Sequence, residues 1–359
     1  MKKIAVVGSG LTGLWTAQNL SESGFDVTLL ESREVAGGRY RRVREDSPFE
    51  TPDLDFFAGD EAHESFLKTL SKRVPDTFDW VIEPHQALTH IHGEWRGFVG
   101  FGDDPATSVD LLSKWNSSSQ LEMTPKASSL VAKLLEDPPF KVLLRSEITH
   151  IEVEKESVTS ITVNGSTQMA VDELVFCPSP SRLLELLSHE ALKSSTRSRL
   201  ARAHGWTGIF LRLDHSEEVS EKESVRFLLG TGKDLEPAVG RVFKNHSKWM
   251  SLIPIEKAME PDYVTHQIRA IKRVLKRHMP DLLEKTEKEH IFIQDEAYGS
   301  LDLKLKNPQK FNEISNLWLA NHRFSPLLGS LGELQTAEAV LAELLVAEPQ
   351  SSVLTEQQL

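Results

Sequence analysis

Ile4-Ala-Val-Val-Gly-Ser-Gly-Leu-Thr-Gly13 opens a stretch of forty residues that continues through Leu29-Leu30-Glu31 to Gly37-Gly38-Arg39. Four apolar residues run straight into Gly8-x-Gly10-x-x-Gly13. Leu14, Ala17 and Leu20 then recur at helical spacing, Gly24 breaks the pattern, and Asp26-Val-Thr-Leu-Leu30 reads as a second strand closed by Glu31. This is a complete β-α-β unit carrying a dinucleotide fingerprint.

Each residue type has a mechanical reason for its place. Gly8 permits the tight turn off the strand, Gly10 lets the backbone approach a pyrophosphate, and Gly13 lets the helix pack closely on the strands. The helix start, with Ser9, Leu11 and Thr12 between the glycines, offers free N–H groups and a partial positive charge to phosphates. Glu31, with Ser32 beside it, follows Gly8 at close to the spacing expected of the acid that takes the ribose hydroxyls. A carboxylate there repels a 2′-phosphate, which disfavours NADP. NAD and FAD share this logic, so the fingerprint alone does not choose between them.

Gly37-Gly38-Arg39, directly after the acid, chooses. The whole run resembles the N-terminal signature of the FAD oxidoreductases that include flavin amine oxidases, phytoene desaturases, protoporphyrinogen oxidases and renalases. In that family the paired glycines bring a loop against the FAD pyrophosphate and the arginine helps to hold it. The resemblance implies a glutathione reductase-type, three-layer Rossmann-like FAD-binding domain, with an inserted α+β substrate domain on a mixed sheet.

Two further segments match in order. Strand-like runs from Lys141 to Val163, the hairpin signal Asn164-Gly165, and the buried strand Val171-Asp-Glu-Leu-Val-Phe-Cys-Pro178 resemble the family's second FAD segment, where Ile148 is the nearest match to the residue that touches the adenine. Asn316-Leu-Trp-Leu-Ala320, then Asn321-His322-Arg323, then Gly329-Ser-Leu-Gly332 opening a helix that carries Leu334, Ala337, Leu341, Leu344 and Leu345, resemble the third. The resemblance places Asn321 against a ribityl or phosphate oxygen, and Gly332 and Leu334 where the last helix meets the pyrimidine end of the flavin. The family usually has Gly-Asp where this chain has Asn321. The amine oxidases also carry a lysine near flavin N5, and His204-Gly-Trp-Thr-Gly-Ile-Phe-Leu-Arg-Leu213 has none. A typical amine oxidase mechanism is therefore not expected.

The implied division is an FAD-binding domain from residues 1–60, 126–182 and 311–347, a substrate domain from 61–125 and 183–310, and a disordered tail at 348–359. Length agrees: 359 residues suit two domains better than one core. A formal charge of −12 gives no global attraction to nucleic acid or an anionic membrane. The single cysteine, Cys177, excludes an intramolecular disulfide and a cysteine metal cluster, so a reducing, cytoplasmic setting is expected. Met1-Lys-Lys-Ile-Ala-Val-Val reads as a buried first strand and not as a leader, and no stretch reaches the ~20 apolar residues that span a bilayer. Solubility is the expectation.

Between the FAD segments the reading is coarser. Glu61 to Val74 is helical, with Phe66, Leu67 and Leu70 inward. Trp80–Ile82, His90–His92, Ile209–Leu213, Val225–Leu229 and Trp249–Ile253 read as strands, and Pro261 to His278 as a helix with Val264, Ile268, Ile271 and Leu275 inward. Trp95, Phe98 and Phe101 either floor a substrate pocket or pack over a small sheet. Arg41, Arg42 and Arg44 either touch phosphate or edge a solvated strand. The basic face at Lys272, Arg273, Lys276 and Arg277 is either solvated or docks an anion or partner. His90 and His92 lack the further ligands a metal would need, so no metal is expected.

These features imply an FAD-dependent oxidoreductase in which a small molecule, an amine, a reduced nicotinamide or an unsaturated isoprenoid-like compound, gives a hydride to flavin N5, with oxygen or another acceptor reoxidising the flavin. The alternative is a flavoprotein that keeps FAD structurally and acts as a binding partner. The sequence assigns no catalytic residue. His63, His204, His322 and Arg323 are the polar side chains placed to be near the flavin.

Overall fold

The computed structural model describes residues 1–41, 54, 56–102, 106, 108–201, 204–230, 236–300 and 313–346. The arginine-rich run beyond Arg41 and the tail after Val346 lie outside these residues.

Lys3–Val7 is the centre of a five-stranded parallel sheet, ordered Leu317–Leu319, Glu173–Phe176, Lys3–Val7, Asp26–Leu30, Lys141–Leu143. Ile4 to Val7 are buried without alternation, because a parallel strand flanked on both faces meets no solvent. One face carries the helices Leu11–Glu22, Ala127–Leu135 and Gly329–Val346, which interlock Leu14, Trp15, Leu20, Leu130, Leu331, Leu334 and Leu341. The other face carries the antiparallel meander Ile148–Glu154, Ser157–Val163 and Thr167–Ala170, whose Ile151, Val158 and Ile161 pack on Ala5, Val7 and Phe176. Three layers result. The side chain of Asn316 ties the meander to the sheet: its Nδ2 donates to Val158 O and Asp172 O, both at 2.8 Å, and its Oδ1 accepts from Val158 N at 2.7 Å.

Asn164 and Gly165 both adopt positive φ, which closes the hairpin where the sequence placed it. Gly13 shows why the fingerprint is restrictive. A Cβ there would sit 1.9 Å from Gly8 O, so the first helix can lie this close to its strand only with hydrogen at that position.

The second unit is a mixed seven-stranded sheet ordered Thr286–Ser300, His204–His215, His246–Pro254, Ala238–Val242, Ser224–Leu228, Leu88–Ile91, Glu94–Gly97. Three of these strands escaped the sequence reading, the shortest being Glu94–Gly97. Ala238–Val242 contains Gly240, over which the Trp249 indole lies, and glycine weakens a strand signal. Thr286–Ser300 is a charged edge strand with half-exposed Ile291 and Ile293, and its alternation is interrupted where Trp206↔Tyr298 is followed by Gly208↔Gln294, a bulge of the longer strand.

Trp95, Phe98 and Phe101 are packing residues. Phe98 stacks on Phe227 at 4.0 Å, Phe101 meets both edge-on, and Trp95 lies under the Arg226 guanidinium and beside His90. His90 in turn stacks on His278, with centroids 3.7 Å apart. On the helix Pro261–His278, Lys272 is ion-paired to Glu289 at 2.5 Å. Leu67, Leu70, Phe78, Leu121 and Met123, from the stretch assigned to the substrate domain, share a core with Leu14 and Trp15.

Replacing Gly13 by alanine must push the first helix off its strand. Urea unfolding should show a loss of roughly 1–3 kcal/mol or more, as overpacking costs. Gly24→Ala, where φ is positive but no atom lies within 4 Å, should cost less.

Candidate functional site

A cavity of about 620 Å³ runs along the carboxyl ends of the parallel strands. This is where an open α/β sheet places its ligand. Glu31, Ser32, Arg33, Ser146, Glu147 and Ile148 line one end; Gly8 to Thr12, Gly38 and Arg39 line the middle. Asn321, His322, Arg323 and Glu333, with Gln294, Asp295 and Glu296 from the bulged edge strand, line the other end.

Glu31 is buried and fixed. Its Oε2 accepts from Ser9 N at 3.0 Å and Ser9 Oγ at 2.6 Å, and its Oε1 from Arg33 N at 2.9 Å. The Gly37-Gly38 loop lies directly on the fingerprint: Gly37 N donates to Ser9 O at 3.0 Å, and a Cβ on Gly38 would stand 2.6 Å from Gly10 Cα. Gly10 caps the first helix without a side-chain hydrogen bond, and the first turn of that helix carries no acid, so its N–H groups face the cavity without a side-chain acceptor.

Arg39 organises the far end. Its Nε is 2.9 Å from Glu333 Oε1, with both side chains nearly inaccessible; its guanidinium lies over the Tyr298 ring, and its Nη2 is 3.4 Å from His322 Nδ1. Burial raises the Glu333 carboxyl pKa, against the pull of Arg39. Burial, with Arg39 and Arg323 beside it, holds the His322 pKa well below the ordinary histidine value, so the ring is neutral at pH 7. Arg323, buried to within 1% at its side chain, has Nη2 3.4 Å from Glu296 Oε1. Glu296 reaches it from the bulge with a left-handed φ of 51°, which illustrates how a bulge re-aims a side chain. Cys177 lies in the wall; burial pushes its thiol pKa up, so it stays protonated and is not activated for bonding to a cofactor.

Of the residues singled out from sequence, Gly8, Ser9, Gly10, Leu11, Thr12, Glu31, Ser32, Gly38, Arg39, Ile148 and Asn321 line this cavity. Gly13 and Gly37 stand behind the wall. Asn321 lines it with its amide already engaged: Nδ2 donates to Cys177 O and Pro178 O, and Oδ1 accepts from Arg323 N. Its donors knit two strand ends together, which leaves none for a ribityl or phosphate oxygen. Gly332 and Leu334 are packing positions. A Cβ on Gly332 would be 2.4 Å from Leu327 O, and Leu334 is fully buried in the helical core. The physical reason is register: the helix starts at Gly329, so its cavity-facing early residue is Glu333. His63 is not in the wall; it bonds the helix-capping Asp60 and stacks on Phe57. The His204 side chain lies outside the described residues.

Glu333 and Glu296 were missed. A carboxylate among Leu331, Leu334, Ala337 and Leu341 was a legible signal for the first, whereas the second depends on a strand the sequence hid.

A dinucleotide fits these residues. One end offers a fixed carboxylate, the middle a close-packed glycine approach to a helix N-terminus, and the far end buried nitrogens on His322 and Arg323 that have no hydrogen-bond partner. Residues 6–70 match a family described as an NAD(P)-binding Rossmann-like domain. An L-amino acid oxidase of Lachesis muta is 49% identical over 193 residues, covering 42% of this chain and 37% of that protein. A carotenoid 3,4-desaturase of Haloarcula japonica is 30% identical over 108 residues, covering 30% and 22%.

The chain thus carries an NAD(P)-binding Rossmann-like domain and is similar, over part of its length, to an L-amino acid oxidase and a carotenoid desaturase. It spans little more than a third of the first of these curated relatives, and less of the second. Similar solved folds include a putative protoporphyrinogen oxidase from an Exiguobacterium species, with a TM-score of 0.68 at 12% identity over 97% of this chain and 99% of that one. A cyclohexylamine oxidase from Brevibacterium oxydans gives 0.64 at 13%, over 96% and 99%. At these identities the likeness establishes the fold alone, a Rossmann-like unit beside a second unit on a broad mixed sheet.

Arg39→Met should leave Glu333 buried and unpaired, at a cost of about 3–5 kcal/mol in denaturant unfolding. The double variant Arg39→Met with Glu333→Leu should recover most of that loss. The His322 ring binds its proton less readily folded than unfolded, so its contribution to stability is full above about pH 6.5 and is lost progressively as pH falls below it. The drop in urea midpoint between pH 7.5 and 5.5 should therefore be smaller in His322→Gln than in the parent chain.

Proposed function

We propose that the protein is an FAD-dependent oxidoreductase acting on a small-molecule substrate. The observation that carries this reading is the contact of Gly38 with Gly10, which lays the Gly-Gly-Arg loop on the dinucleotide fingerprint and extends the cavity from Glu31 to Arg39 and His322. The cavity also falls within the roughly 300–1,000 Å³ typical of cofactor and ligand pockets.

In this reading Glu31 takes the ribose hydroxyls, Ile148 borders the adenine, and the N-terminus of Leu11–Glu22 with Gly10 and Arg39 holds the pyrophosphate. Gly8, Ser9, Leu11, Thr12 and Gly38 shape the approach, and Ser32 flanks the ribose. FAD bound there would supply the capacity to accept a hydride or electrons from substrate. The chain's own residues position it: Arg39 is held by Glu333, and neutral His322 by Arg39, so no proton need be gained or lost at His322 near neutral pH. Gln294, Asp295 and Glu296 form the opposing wall, at the edge of the mixed sheet.

The names of the relatives span amino-acid, amine and carotenoid compounds. Among the described residues lining the cavity there is no lysine. This favours a substrate other than a typical amine, with a reduced nicotinamide or an unsaturated compound in its place. The same observation supports a second reading, in which FAD is retained as a structural element of a binding partner. The net charge of −12 supports a partner other than nucleic acid. No described helix is long and apolar enough to cross a membrane; together with the single cysteine, this supports a cytoplasmic site of action.

The purified protein should show flavin absorption bands that bleach with anaerobic dithionite, and heat should release FAD into the supernatant. A colourless protein that cannot be reconstituted with FAD defeats the reading. Turnover on panels of amines and reduced nicotinamides separates the substrate classes, and a loaded flavin idle in every assay, including reoxidation, selects the structural reading.

A further inference from the structure

Asn164 directs its side chain outside its own hairpin. The turn needs only the positive φ of Asn164 and Gly165, which glycine at either place would supply. Yet both ends of the Asn164 amide reach back to the segment between Lys141–Leu143 and Ile148–Glu154. Its Oδ1 accepts from Glu147 N and its Nδ2 donates to Arg145 O, both at 2.9 Å, while Asn164 N donates to Glu147 O at 2.8 Å. The stretch Arg145-Ser146-Glu147 is gripped from that side.

The end of the strand that carries the buried acid grips it from the other side. Arg145 N donates to Arg33 O at 2.9 Å, and Ser146 N to Glu31 O at 2.8 Å. Arg145 has a left-handed φ of 51°, uncommon for a residue with a Cβ, and such a conformation lasts only where its surroundings impose it. Here Arg33 takes its N–H and Asn164 bonds its carbonyl.

The stretch matters because of where it lies. Ser146, Glu147 and Ile148 line the cavity at the same end as Glu31, Ser32 and Arg33, whereas Asn164 does not line it. The wall there is a seam between two loops, and Asn164 closes the seam from outside. Asn164 is exposed, so water can replace its bonds and the protein should fold without them. Water, however, does not hold a wall in one place.

We propose that Asn164 is a positioning residue for the adenosine half of the bound dinucleotide, fixing the Arg145–Glu147 wall beside Glu31. This rests on the cofactor reading above and adds to it a residue behind the cavity.

The test uses the full-length apoprotein. FAD binding is read by quenching of flavin fluorescence and ADP-ribose binding by calorimetry; ADP-ribose carries the adenosine half without the flavin. Asn164→Gly removes both side-chain bonds and keeps a residue suited to the positive φ. It should weaken both ligands by the same factor, roughly 3–10-fold, as expected for the loss of neutral hydrogen bonds that hold a wall. Thr149→Val is the control for a merely structural role. It removes the Oγ1 acceptor 3.1 Å from Gly165 N, which loosens the same hairpin without touching Arg145–Glu147, and it should leave both affinities unchanged.

Weakening of FAD alone would put the effect on the flavin half, and unchanged affinities in Asn164→Gly would leave Asn164 a turn residue. Equal losses in Thr149→Val would assign the effect to the hairpin as a whole. Each of these overturns the proposal. If Asn164→Gly fails to fold, hydrogen exchange in the wild-type protein decides: the Glu147 amide should exchange more slowly with ADP-ribose bound, and no slowing overturns the proposal. Wild-type protein that binds ADP-ribose but not FAD refutes the flavoenzyme reading, and the role of Asn164 is then read on ADP-ribose. Protein that binds neither ligand refutes both.

Discussion

The Arg39–Glu333 ion pair is the constraint on which the site depends. Two charges are taken out of water, which is unfavourable unless each finds close partners, and here they join the loop after the second strand to the start of the last helix. Because Gly38 already rests on Gly10, the pair also fixes the first helix against the last, with the Thr12 hydroxyl bonded to the Glu333 carbonyl. The cavity wall is the seam between these elements. A shift in any one of them would separate the pair or drive a backbone atom into Gly10.

The electrostatics follow from that seam. Two arginines stand beside His322, and their charge with burial keeps the ring neutral, so it remains a hydrogen-bond donor where an acid would be an acceptor. Glu333 and Glu296 offset the arginines from opposite sides, one from a helix and one from the bulge of an edge strand. The far end of the cavity thus holds the His322 and Arg323 donors, while the other end holds the Glu31 carboxylate. A dinucleotide, with ribose hydroxyls near one end and phosphate oxygens inward of it, complements that arrangement.

Legibility in the sequence tracked how local the physics was. The first β-α-β unit could be read to within a residue because its determinants are steric and adjacent: Gly13 must clear Gly8 O, and Ile4 to Val7 must be apolar on both faces. Asn164-Gly165 declared its hairpin for the same reason. The helix start at Gly329 was placed three residues late, at Gly332, because both glycines fit a helix entrance and only the packing of Gly332 on Leu327 O distinguishes them. Asn321 had the right place with a different task, since the carbonyls of Cys177 and Pro178 reach its amide only after two distant strands pair.

By itself the sequence determined the dinucleotide fingerprint, the order of the three segments that build the parallel-sheet domain, and Glu31 and Arg39 as wall residues. The tertiary structure decided the far end of the site: the edge strand carrying Glu296, the partner of Arg39, and the neutrality of His322. Turn geometry and glycine clearance are settled by neighbours in the chain. The charge state of a buried ring and the partner of a buried arginine are settled by residues hundreds of positions away, brought together only when the sheets and helices close over them.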